Sequence, residues 1–150
     1  WHILTPIETE DEAYADAVDR LKKFWVGLGA RVETMDPTRH DRVLAITSHL
    51  PHLIAYNIVS TAHDMESVEE GEVVKFSAGG FRDFTRIASS NPIMWRDICV
   101  ANKDAVATLV DSYADEMTQL AKAIREDDID TLTQMFTNAK KHRDAFIDGI

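Results

Sequence analysis

The 150-residue chain is long enough for one domain and too short for two full ones. Hydrophobic residues make up 45% and charged residues 28%, a globular balance that argues against disorder. Sixteen basic residues against 26 acidic ones give a net charge of −10, which argues against a phosphate backbone as partner because that binding needs a basic face.

No run approaches the roughly 18 apolar residues of a bilayer span, and no signal peptide is visible. Cys99 is the single cysteine, so no internal disulfide is possible and a reducing cytoplasm is the expected setting. Trp1 is not a usual translation start, so an excised or trimmed piece is expected.

In chain order, Trp1–Leu4 is an apolar run closed by Thr5-Pro6 and reads as a strand ending in a turn. From Glu10 to Leu28 the positions Val18, Leu21, Trp25 and Leu28 recur at helical spacing, and Gly27 and Gly29 supply the stop. Ala30–Met35 alternates weakly and reads as a second strand. These three elements have the size of one βαβ unit, which cannot cover a sheet alone.

The pattern changes at Asp36-Pro37, an N-cap followed by proline at the first helical position. Val43–Val59 is apolar nearly all round and predicts a buried central helix, kinked by Pro51. Ala62–Gly71 is polar and reads as a loop or short helix. Gly79-Gly80 opens a helical run through Ile87 and Ala88, and Asn91-Pro92 repeats the capping signal before Ile93–Val100. Val106, Leu109, Val110, Tyr113, Met117, Leu120 and Ile124 form one long stripe. Leu132, Met135, Phe136, Ala139 and Phe146 form another beyond Asp127-Asp128. Such helices pack on each other or across a dimer axis. The expected architecture is mainly α, a short βαβ piece followed by an all-helical body.

Two clusters carry possible chemistry. On the central helix stand His40-Asp41 and Ser48-His49-Leu50-Pro51-His52. At about 100° per residue, Asp41, Ser48 and His52 fall within roughly 40° of one another. One reading is a satisfied core network, since an unpaired buried polar group costs about 1–3 kcal/mol. The other is a cleft in which Ser48 and His52 bind a polar ligand. His49, His52 and Asp41 offer too few ligands for structural zinc, so no metal is expected.

The second cluster is Gly79-Gly80-Phe81-Arg82-Asp83-Phe84-Thr85-Arg86. The glycines let backbone approach a ligand, and a helix N-terminus favours anions. Asp83 and Arg86 either form a surface ion pair or orient one arginine fork toward a carboxylate. Trp95 either packs or walls a pocket. Gly27-Leu28-Gly29 follows a helix and lacks a third glycine, so it is a helix stop and not a dinucleotide loop. Cys99 lies in an apolar helical run and reads as a small core residue.

Ile3-Leu4-Thr5-Pro6, Gly27-Leu28-Gly29-Ala30, His40-Asp41, Ser48-His49-Leu50-Pro51-His52 and GGFRDFTRIASSNPIMWRDI, in this order, resemble prephenate dehydrogenase, also called cyclohexadienyl dehydrogenase. The resemblance extends over essentially the whole chain. It implies an oxidoreductase of tyrosine biosynthesis that oxidatively decarboxylates prephenate or arogenate with NAD or NADP. It further implies that Trp1–Met35 ends a Rossmann nucleotide-binding domain and that Asp36–Ile150 is a helical substrate-binding and dimerisation domain. By the same resemblance Arg86 binds a substrate carboxylate, and Ser48 and His52 line the pocket. Gly79 gives a backbone contact and Trp95 a wall, while His49 and Asp83 support them. The glycine fingerprint and the general-base histidine are expected upstream, so no catalytic residue is expected in this chain. The rival expectation is a non-catalytic helical module that only assembles with a partner.

Overall fold

The computed structural model describes residues 1–66 and 75–148. The chain divides into two compact units, Trp1–Ala107 and Thr108–Ile150.

The first unit opens with β1 (His2–Leu4), α1 (Glu12–Gly27) and β2 (Val32–Thr34). The two strands pair in parallel, His2 opposite Val32 and Leu4 opposite Thr34, so α1 is the crossover that parallel pairing requires. Asp11 caps α1 by accepting from the amides of Ala13 and Tyr14, which fixes its start two residues after Glu10. The helix stops at Gly27, and Gly29 adopts φ 85°, a turn conformation open to glycine. His2 stacks on Trp25 with ring centroids 3.8 Å apart, joining β1 to α1. Leu4, Thr5, Pro6, Tyr14, Val18 and Leu21 line an open recess of about 180 Å³.

Asp36 accepts from the Arg39 amide at 2.8 Å and starts α2 (Pro37–Leu44), as the Asp-Pro signal predicts. A π-helical turn, Ala45–His49, follows, and α3 runs from Leu50 to Glu66. The π turn accommodates Pro51. Proline has no N–H and its ring crowds the carbonyl four residues back, and widening the preceding turn relieves both. The Leu50 amide accordingly reaches Ala45 O, and the Thr47 hydroxyl donates to Val43 O at 2.7 Å.

Two expectations need correction. The central stretch is not buried all round: Ala45, Leu50 and Ala55 are buried, but Ile46 is 49% exposed and Val59 40%. Because α2, the π turn and α3 join without a break, Pro37–Met65 contains an 18-residue window of mean hydropathy 1.2, long and apolar enough by length and composition alone to cross a membrane. The polar stretch from Ala62 is helical as far as Glu66, and its remainder lies outside the described residues.

After the undescribed segment come α4 (Gly79–Thr85), a 3₁₀ turn (Arg86–Ser89) and α5 (Pro92–Ala101). Both α4 and the 3₁₀ turn pack against α3. Asn91 caps α5 by accepting from Ile93 and Met94. Then α6 (Lys103–Arg125) begins, and Val106 is buried.

In the second unit the rest of α6 meets α7 (Ile129–Asp148) through the Asp127-Asp128 break, where Asp127 takes φ 50°. Asp128 accepts from the Thr131 amide at 3.0 Å and from its hydroxyl at 2.7 Å. These bonds hold its carboxyl below its ordinary pKa.

Candidate functional site

The first unit gathers part of the polar cluster around Trp95. Asn91 sets the start of α5, so that Trp95 is carried to α3, where it is only 6% exposed. The His52 ring stacks on Trp95 with centroids 3.8 Å apart and planes 23° from parallel. His49 meets the same indole edge-on at 6.1 Å. Two imidazoles thus share one aromatic wall, an arrangement that can grip a ring and address its polar substituents. The Trp95 indole Nε1 is buried and has no acceptor among the described residues.

His52 Nδ1 lies 2.8 Å from the backbone carbonyl of Ser48. A carbonyl only accepts, so Nδ1 carries a proton and Nε2 of the neutral ring remains an acceptor. Ser48 therefore orients His52 through its main chain. Its hydroxyl has no partner among the described residues.

Asp41 belongs to the cluster in a different manner from that expected. His40 Nδ1 and Asp41 Oδ1 are 3.0 Å apart, while Asp41 O accepts from the Asn102 amide at 2.7 Å. The same Asn102 nitrogen lies 3.3 Å from His49 Nδ1. Burial pushes the His49 pKa below its ordinary value, and His40 adds to this while Asp41 opposes it.

Gly79 and Asp83 stand on α4, and Arg86 opens the 3₁₀ turn. Tyr56 on α3 donates its phenol to Ser90 O at 2.7 Å, tying the central helix to the end of that turn. Arg86 and Asp83 are both exposed and form no ion pair with each other, so the simple surface pair is not observed. Gly79 is also exposed, and a Cβ built there meets nothing within 4 Å. The structure thus brings His49, His52 and Trp95 into contact and packs the element bearing Arg86 against α3.

Two polar residues escaped the sequence reading, Tyr56 and Asn102. Tyr56 could have been flagged as a phenol on an apolar helix, since its hydroxyl needs a partner. Asn102 offers only a C-cap signal after α5, and its partners lie 61 and 53 residues away. Cys99 is half-buried, and burial pushes its thiol pKa up, away from the reactive thiolate. Among the described residues no trio of His, Cys, Asp or Glu is arranged to hold a metal ion. Gly27 ends α1 and Gly29 follows it, so they do not fit a dinucleotide loop, which opens a helix.

The family model for the prephenate dehydrogenase dimerization domain matches residues 36–138. Prephenate dehydrogenase of Bacillus subtilis (strain 168) is 39% identical over 144 residues, covering 96% of this chain and 38% of that protein. Cyclohexadienyl dehydrogenase of Zymomonas mobilis is 36% identical over 141 residues, covering 94% of this chain and 47% of that protein. The crystal structure of prephenate dehydrogenase from A. aeolicus in complex with hydroxyphenyl propionate and NAD+ superimposes with a TM-score of 0.80 at 37% identity, over 94% of this chain and 48% of that one. The chain therefore spans less than half the length of these relatives. It belongs to the prephenate dehydrogenase family, and residues 36–138 are its dimerization-domain portion.

Proposed function

We propose that this chain is the substrate-binding and dimerising portion of an enzyme that oxidatively decarboxylates prephenate or arogenate. Trp1–Met35 is assigned to the end of a nucleotide-binding domain and Asp36–Ile150 to the helical domain. The observation that carries the reading is the His52–Trp95 stack on a helix against which the Arg86 turn packs, in a chain of this family.

Prephenate carries two carboxylates and a non-aromatic ring, and each feature has a matching group in the cluster. Arg86 supplies a guanidinium for a carboxylate, and its lack of an ion pair with Asp83 leaves that fork available. The half-buried His52 ring, backed by Trp95, offers a flat wall to the ring. His52 Nε2 is left to accept from a ligand hydroxyl, and the Ser48 hydroxyl to donate to a ligand oxygen. A relative whose structure holds an aryl propionate together with NAD+ supports a carboxylate-bearing ring as the ligand class. NAD or NADP is assigned to residues beyond this chain, because the glycines here do not fit a dinucleotide. The general base is assigned there too. The contribution of these helices is to hold the ring in one orientation for oxidation. A homodimer in a cytoplasmic setting accompanies this reading, supported by the family's dimerization domain and by the single half-buried cysteine.

Calorimetric titration of the chain with prephenate, with and without NAD, tests the reading. It predicts one site per chain that does not require NAD. Arg86→Ala weakens that binding about tenfold to a hundredfold, the worth of a charge-assisted hydrogen bond. Absence of prephenate heat would instead favour a module that only assembles with a partner. Equal affinity in Arg86→Ala would remove Arg86 from the site.

A further inference from the structure

We infer that Asn102 is a positioning residue for this site: it holds His49 as the neutral tautomer protonated on Nε2, which makes His49 a fixed N–H donor beside the His52–Trp95 stack. The ligand half of this inference, donation to an oxygen of a ring carboxylate, rests on the function proposed above.

The tautomer follows from hydrogen-bond valence. Asn102 closes α5 as its C-cap, its own amide donating to Ile98 O at 3.1 Å. Its side-chain Nδ2 lies 2.7 Å from Asp41 O. A main-chain carbonyl only accepts, so the group facing it is the amide NH₂ and not the amide oxygen. One of the two NH₂ hydrogens is used there, and the second meets His49 Nδ1 at 3.3 Å. A ring nitrogen receiving that hydrogen must offer a lone pair. The proton of the neutral ring is therefore on Nε2.

The surroundings act in the same sense. Protonating Nδ1 would set N–H against N–H. Three titratable groups influence His49: His40 and His52 disfavour its charge and Asp41 favours it, while burial, the largest single influence, also disfavours it. Asp41 is itself engaged with His40 Nδ1 at 3.0 Å. Among the described residues the hydrogen bonding of His49 is confined to Nδ1, so Nε2–H is the free donor. This resembles the outer partners that fix histidine tautomers at metal sites, with an asparagine here in place of a carboxylate and a neutral donor ring as the product.

The test is a long-range ¹H–¹⁵N correlation spectrum of the labelled chain near pH 8, which reads the proton position on each imidazole. The wild-type chain is expected to show His49 protonated on Nε2. In Asn102→Asp an acceptor of the same shape faces Nδ1. The proton should move to Nδ1, the His49 titration midpoint should rise by about one pH unit or more, and prephenate affinity should fall about tenfold. A wild-type His49 protonated on Nδ1 overturns the inference, and this single reading decides even if Asn102→Asp fails to fold. An unchanged tautomer and midpoint in a folded Asn102→Asp chain overturn it equally. A tautomer switch in a protein whose wild type binds no prephenate upholds the positioning role and overturns the ligand reading instead.

Discussion

Trp95 shows how one side chain organises the site. Its indole gives His52 a face at 3.8 Å and His49 an edge at 6.1 Å, so a single buried aromatic sets the orientation of two imidazoles. His52 is further fixed by the Ser48 carbonyl and His49 by Asn102. The pKa of His49 yields a stability prediction with a definite sign. Because burial holds it below its ordinary value, the unfolded chain takes up the proton first as pH falls. The His49 contribution is therefore complete above about pH 6.5 and is lost as pH drops through that value toward the folded pKa. Differential scanning calorimetry should show a melting temperature that falls between about pH 7 and pH 5.5, less steeply in His49→Gln. Equal slopes in the two proteins would contradict it. Asp128 acts in a separate window: its lowered pKa gives stability above the ordinary carboxylate value that is lost in stronger acid.

At the same scale, local signals were readable and distant ones were not. Asp36 and Asn91 cap their helices within three residues, a pattern visible in any short window. Asn102 makes its bonds to Asp41 and His49 only after the chain has folded back, and no local spacing encodes them.

At the element scale, the phase of the central helix is set by Pro51. Regular α-helical spacing brings Asp41, Ser48 and His52 onto one line, but the π turn between Ala45 and His49 changes the rotation from Asp41 to His52. Ser48 and His52 remain coupled because they lie four residues apart across the turn's end, and Asp41 joins through its main chain. The proline was legible as a perturbation; that the preceding turn would widen to a π turn was not, since more than one backbone geometry accommodates the missing donor.

The stripes on α6 and α7 were also legible, but their outcome depends on a second surface. The two helices leave parts of both stripes open to water: Ile124, Phe136 and Phe146 are 56%, 60% and 68% exposed. Covering them from water supplies about 25 cal/mol per Å² of apolar area, which favours self-association in a family with a dimerization domain. Sedimentation equilibrium should give twice the 16.9 kDa chain mass. Phe136→Asp should shift the protein toward monomer with its helix content kept. A wild-type monomer at all concentrations would contradict a dimer built by this chain alone.

At the scale of the whole molecule, a net charge of −10 opposes the approach of the dianion proposed as ligand. Salt screens that repulsion beyond about 8 Å, so capture depends on a cation at close range. Arg86, exposed and not neutralised by Asp83, meets that requirement. The mainly α class, the parallel β1–β2 pair and the family were all readable because they rest on periodicity, glycine stops and ordered motifs. The boundary between the two units after Ala107 was not, because α6 runs through it without any break in sequence pattern.

The most direct measurement is a ¹H–¹⁵N spectrum of the labelled chain titrated with prephenate. The account predicts that the Arg86 Nε–H, the Trp95 indole N–H and the Ser48 amide shift together and saturate at one equivalent. Shifts confined to the recess lined by Leu4, Tyr14 and Leu21, or no shifts at all, would contradict it.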